Sequence, residues 1–221
     1  ERNSLRGEFQ EIIKSVYPSF LIGEPGSGKS TSLLRLARDI NRGRESDPGL
    51  WSLYIPLSGY TASGLQDLIC REIEPLNWAD IVLELESGRL TLILDGLNEC
   101  PSVHYDQCAS ELSDLLKVHA ESKVFVSTRA SHLPAFAHKM IELRSMGSSR
   151  QKLLVKNYLN DKPEAVEAFW ENLTQKPTAK MIARSPILLR MALWVWEETG
   201  KLPGGLAELY SDFFDGWTLL F

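Results

Sequence analysis

The sequence predicts an α/β fold: a mostly parallel, five-stranded sheet flanked by helices, followed by a small helical subdomain. Three observations predict it. Short apolar runs alternate with segments of helical period as far as Leu143, the pattern of strands buried beneath helices on both faces. A glycine-rich loop separates the first of those runs from the first of those helices. From Ser148 onward the strand signal vanishes and only helical periodicity is left.

Taken in order, Leu5, Phe9, Ile12, Ile13 and Val16 recur at helical spacing, so residues 1–16 are expected as a leading helix and linker. Residues 17–22 (YPSFLI) read as a short buried strand. Residues 29–40, with Leu33, Leu34, Leu36, Ala37 and Ile40 at helical spacing, read as a helix. Strands follow at 50–57, 90–95, 123–128 and 139–143, with helices at 64–72, 77–87 and 106–120 between them. The α/β domain thus spans 17–147. Segments 149–161, 164–172, 178–198 and 206–221 read as helices and make 148–221 the helical subdomain, truncated at its carboxyl end. Ser185-Pro186 is a helix start, an N-cap followed by proline at the first helical position, and Gly200 suits the end of that helix. In the last helix Leu206, Leu209, Tyr210, Phe213, Phe214, Trp217, Leu220 and Phe221 form one apolar stripe. The stripe is expected to be a core face, part of it packing on a domain outside this segment.

Composition narrows the function. The chain has 221 residues, 43% of them hydrophobic, enough for a full core, and a net charge of −5 with both signs interspersed. No overall basic field recruits nucleic acid or anionic lipid. Three cysteines, Cys70, Cys100 and Cys108, fit a reducing compartment, so a cytoplasmic location is expected. The most apolar segment, residues 186–196, is too short to span a bilayer and contains Arg190. Starting at Glu1 and ending inside an apolar pattern, the chain is expected to be a segment of a longer protein.

The chemistry begins in the glycine-rich loop. Gly23-Glu24-Pro25-Gly26-Ser27-Gly28-Lys29-Ser30 is a complete GxxxxGK[ST] motif, followed by Thr31, in the strand, loop, helix context that the motif requires. Glycines at 23, 26 and 28 allow successive N–H groups to turn toward one phosphate, and the following helix adds the positive end of its dipole. Lys29 would reach the β- and γ-phosphates, Ser30 would ligate Mg2+, and Thr31 would touch the α-phosphate.

Such a loop needs an acidic partner for the metal at the end of an apolar strand. Leu92-Ile93-Leu94-Asp95-Gly96-Leu97-Asn98-Glu99 supplies one: Asp95 would orient Mg2+ and its waters, and Glu99 would polarise the attacking water. Ser127-Thr128-Arg129 ends the strand expected beside the loop. Arg129 there would face the γ-phosphate, or else serve only as a surface charge. No NKxD-like segment follows a late strand, which favours adenine over guanine. Leu57-Ser58-Gly59-Tyr60 is read as a turn. Cys100, His104 and Cys108 are spaced Cx3Hx3C, but the expected stripe of Cys108 with Leu112, Leu115 and Leu116 assigns the cysteines to the core, and His119 with them.

The segments GEPGSGKST (23–31), LILDGLNEC (92–100), VFVSTR (124–129), SPILLRMAL (185–193) and LPGGLAELYSDFF (202–214) together resemble a NACHT domain, a member of the STAND class of signal-transducing P-loop ATPases. The resemblance covers nearly the whole chain. It implies that Asp95 is the main Walker B acid, Glu99 the hydrolytic one and Arg129 the first sensor, with Pro186 packing near adenine. It also implies an ATP/ADP switch with Mg2+ and slow ATP hydrolysis, controlling oligomerisation and signalling in innate immune or anti-phage defence. The partners implied are winged-helix, sensor and effector domains of the same protein. Asn98 departs from the family's usual Asp, which bears on hydrolysis more than on binding. Two alternatives stay open: an oligomerisation scaffold that keeps its nucleotide without turnover, and an AAA-type mechanical ATPase. The acidic balance and the lack of a second arginine finger count against the latter, and nucleic acid is not an expected partner of this segment.

Overall fold

A computed structural model describes residues 17–43, 49–160 and 162–218. The expected leading helix at 1–16 and the end of the last stripe, from Trp217 on, lie outside the residues whose side chains are described. Five strands form one sheet: β1 (Ser19–Ile22), β2 (Trp51–Pro56), β3 (Leu90–Asp95), β4 (Val124–Thr128) and β5 (Met140–Glu142), in the order β2-β3-β4-β1-β5 and with every pair parallel. β3 and β4 are buried throughout, which is why they carry apolar residues on both faces rather than on alternate positions only.

Among the described residues the chain divides into two compact units. One contains everything up to Gly23 together with Lys29–Leu143; the other contains Glu24–Gly28 and all that follows from Arg144. In the first, α1 (Lys29–Arg42), α2 (Leu65–Arg71), α3 (Trp78–Glu86) and α4 (Tyr105–Val118) cover the sheet. Side chains alternate across a strand, so each strand feeds two cores. Leu21, Ile93, Phe125 and Ile141 pack with Leu33, Leu36 and Ala37 of α1. Phe20, Ile55, Leu92, Leu94, Val124 and Val126 pack on the opposite face with Leu65, Leu68, Ile69, Ile81, Leu85, Leu112 and Leu115 from α2 to α4. β2 is an edge strand, and its exposed backbone is occupied by Asn41, whose side chain both accepts from Ser52 N at 2.8 Å and donates to Ser52 O at 3.2 Å.

The second unit is helical: α5 (Ser148–Tyr158), α6 (Pro163–Gln175), α7 (Pro177–Ile182), α8 (Pro186–Thr199) and α9 (Leu206–Thr218). Its core is Val155, Leu159, Phe169, Leu173, Ile182, Leu189, Leu193 and Leu209, among others. Two expectations change here. The single helix expected over 178–198 is two, α7 and α8, because the Ser185-Pro186 start interrupts it: the residue before proline is driven out of helical geometry, and Ser185 is extended at φ −100°, ψ 124°. The apolar stripe of α9 is also divided. Leu209 is fully buried, and Phe213 packs edge-on to Trp194 at 5.1 Å, while Leu206, Tyr210 and Phe214 are exposed. Gly200 ends α8 in the left-handed region, φ 69°, as its position suggests.

Candidate functional site

The sheet arithmetic assembles the site in the first unit. Ile93 and Asp95 lie on one face of β3, two residues apart, and Phe125 and Ser127 lie on the same face of β4. Ile93 pairs with Phe125, so the register carried one pleat further sets Ser127 beside Asp95. The apolar row that packs under α1 therefore becomes polar at its carboxyl end. On the other side of β4, Leu21 and Ile22 of β1 pair with Ser127 and Thr128, so the strand that feeds the glycine-rich loop is a direct neighbour.

Asp95 is only 7% exposed, and its carboxylate is held from both sides. Ser127 Oγ donates to Oδ1, and the Tyr54 hydroxyl donates to Oδ2 at 2.5 Å. Ser127 Oγ in turn accepts from Gly96 N at 2.8 Å. Gly96 turns the chain sharply at φ 78°, and Glu99 folds back so that a Cβ placed on Gly96 would be 3.0 Å from its Oε2. Burial pushes the Tyr54 phenol up from its ordinary pKa, as do its hydrogen bond to Asp95 and the charges of Asp95 and Glu99, while the Ser30 hydroxyl opposes them. Ser30, Tyr54, Asp95, Glu99 and Ser127 thus form one polar cluster.

Lys29 Nζ donates to the Gly23 carbonyl at 2.8 Å, which folds the ammonium back across the base of its own loop. Ser30 and Thr31 begin α1 and are exposed, at the positive end of a helix of 14 residues. Arg129 follows Thr128 at the end of β4; its side chain is exposed, and its carbonyl accepts from His132 N at 3.0 Å.

The tip of the loop belongs to the helical unit. Gly26 and Gly28 have φ of 71° and 94°, and Ser27 N closes a turn on Glu24 O at 3.1 Å. The Ser185 hydroxyl donates to Gly26 O at 3.1 Å instead of capping α8. Ile187 lies so close that a Cβ on Gly26 would be 2.5 Å from its Cγ2. Pro186, between them, is thereby set beside Glu24–Gly28. Ser27 Oγ is buried and has no hydrogen-bond partner among the described residues.

These features fit a nucleoside phosphate with Mg2+. An orphaned hydroxyl sits in a loop whose glycines hold angles that L side chains rarely adopt, and nothing lies within 4 Å of a Cβ placed on Gly28. Ser30 and Asp95 are hard oxygen donors of the kind Mg2+ takes when phosphates and water complete its shell. No group of three or more His, Cys, Asp or Glu among the described residues could hold a metal by itself. Cys100 and Cys108 lie in the core opposite α1, and burial pushes both thiols up.

The NACHT domain profile matches residues 17–162 of this chain. The chain belongs to the NACHT family. This NACHT domain is therefore a nucleotide-binding P-loop NTPase, and the parallel five-stranded sheet with its carboxyl-end site is the architecture of that class. Solved structures similar to it include the following two. The structure of Drosophila ORC bound to DNA shares 11% identity at a TM-score of 0.43, over 82% of this chain and 50% of that one. The structure of C. elegans PCH-2 shares 13% identity at a TM-score of 0.46, over 93% of this chain and 63% of that one. The NACHT chain spans less than two thirds of either. No curated protein matches it significantly. No helix among the described residues is long and apolar enough to cross a membrane.

Tyr54 and Ser185 are the contributors that the sequence concealed. Tyr54 sits in a strand where an aromatic residue is ordinary core, and only its register beside β3 brings the phenol to Asp95. The Ser185 hydroxyl looks like a helix cap until its carbonyl partner on Gly26 is seen.

Proposed function

We propose that this NACHT domain is an ATP/ADP-binding molecular switch with slow ATP hydrolysis that controls oligomerisation and signalling in innate immune or anti-phage defence. The observation that carries the reading is the held carboxylate of Asp95, fixed by Ser127 and Tyr54 in the same cluster as Ser30. The nucleotide-binding domain is 17–147 and the helical subdomain 148–221. When bound, the Mg2+ nucleotide supplies an electrophilic γ-phosphorus and a leaving ADP. Residues Gly23 to Thr31 hold the phosphates, with Lys29 neutralising the β- and γ-groups and Ser30 and Asp95 holding the metal. Glu99 accepts a proton from the attacking water, Arg129 stabilises charge on the γ-phosphate, and Pro186 borders adenine.

Slow turnover follows from the surroundings of Glu99. It is exposed, and its neighbour Asn98 contributes no charge to the metal site. A long-lived nucleotide state is what a switch requires. Winged-helix, sensor and effector domains of the same protein would receive the signal, in the cytoplasm, through a homo-oligomer formed with ATP.

Nucleotide binding and phosphate release, measured for the wild type, Lys29→Ala and Glu99→Gln, test the reading. Lys29→Ala should lose binding of both ATP and ADP, whereas Glu99→Gln should bind ATP and release no phosphate. Unchanged binding in Lys29→Ala would overturn the assignment. Asn98 also favours a second reading, a scaffold that retains its nucleotide without turnover; in that case Glu99→Gln signals as the wild type does.

A further inference from the structure

We propose that Tyr54 is a positioning residue that aims the two protein ligands of Mg2+, Ser30 and Asp95, an inference that rests on the nucleotide-switch reading. The two ligands come from separate elements, the first turn of α1 and the end of β3. Tyr54, on the neighbouring strand β2, lies between them.

A serine that ligates a cation must present a lone pair to it, and so must send its own proton elsewhere. Tyr54 has a single proton, and that proton is committed to Asp95 Oδ2 at 2.5 Å. Its oxygen is therefore left as an acceptor, and the Ser30 hydroxyl, which acts to lower the phenol's pKa, is the donor proposed for it. The proposed chain of donation runs from Ser30 to Tyr54 and then along the bond from Tyr54 to Asp95, and Ser127 closes it from the far side on Oδ1. Ser30 is left with its lone pairs outward.

A carboxylate offers about four lone-pair positions, so Asp95 keeps two for a metal or its waters after Tyr54 and Ser127 are satisfied. The phenol ring itself is half-buried against the apolar cluster beneath α1, which fixes where its oxygen stands. Partners that orient metal ligands in this way typically contribute about 10- to 100-fold in metal affinity.

Tyr54→Phe keeps the ring and its packing and removes only the oxygen. The test uses the intact chain with a fluorescent N-methylanthraniloyl ATP, measured first in EDTA and then against increasing Mg2+. The Mg2+ concentration for half-maximal tight binding should rise by about ten-fold or more in Tyr54→Phe, while affinity in EDTA stays within about two-fold of wild type. Tyr60→Phe, which alters a tyrosine in the core of the opposite face, should leave the Mg2+ midpoint where it is. A midpoint that is unchanged or lower in Tyr54→Phe overturns the positioning role and leaves the switch reading intact. A wild type that binds the nucleotide with no dependence on Mg2+ also overturns it. A wild type that binds no nucleotide in either condition overturns both.

Discussion

Ser19 and Ser127 are two serines on adjacent parallel strands, each 1% exposed, for which the structure predicts opposite effects of removing the hydroxyl. Ser127 Oγ donates to Asp95 and accepts from Gly96 N in a buried setting. Ser127→Ala strips the Gly96 N–H of its partner, at about 1–3 kcal/mol for a buried unsatisfied group, and removes a charge-assisted hydrogen bond worth about 1.5–3 kcal/mol. Allowing for relaxation, the loss is roughly 2–5 kcal/mol. At about 2–4 °C per kcal/mol for a chain of this size, the Tm should fall by roughly 5–15 °C. Ser19 Oγ has no hydrogen-bond partner among the described residues, so Ser19→Ala discards only a buried hydroxyl that costs free energy where it stands. Its effect should lie between neutral and about 1 kcal/mol stabilising. Urea titrations of both variants, with the m-value checked for constancy, measure the pair directly. Equal destabilisation by the two substitutions would refute the reasoning, since burial alone, rather than hydrogen bonding, would then govern both sites.

Two glycines give further tests within the helical unit. Gly26→Ala imposes left-handed strain of about 1–2 kcal/mol and places a methyl 2.5 Å from Ile187 Cγ2, so nucleotide affinity should fall about ten-fold or more. Ile187→Ala in the same chain, which clears that atom, should recover part of the loss in the same binding assay. Gly216→Ala would ordinarily stabilise a helix by about 1 kcal/mol. Here the new Cβ would lie 2.5 Å from Trp194 Cη2, so thermal denaturation should show a lower Tm instead.

Much of the fold was legible because the sequence states its periods plainly. The runs at 90–95 and 123–128 carry apolar residues on both faces because both faces of those strands are covered, and the loop at 23–31 carries its own turn chemistry in its glycines. Less was legible where the decisive partner is distant along the chain. The break between α7 and α8 was written in Ser185-Pro186, yet the apolar spacing on either side continued through it. The stripe of α9 was read correctly as apolar. Spacing could not say that Leu209 is enclosed while Tyr210 and Phe214, on the same stripe, remain exposed.

By itself the sequence singled out the residues proposed for phosphate chemistry: Lys29 and Ser30 by their place after the glycines, Asp95 and Glu99 by their place after a buried strand. Those are local facts, fixed by backbone angles and by where an apolar run stops. Only the tertiary structure decided how Asp95 is held. Ser127 is 32 residues from it and Tyr54 is 41, and strand register alone brings their hydroxyls to its two oxygens. A hydrogen bond acts over about 3 Å whatever the separation in sequence, so no spacing rule along the chain could have named either residue.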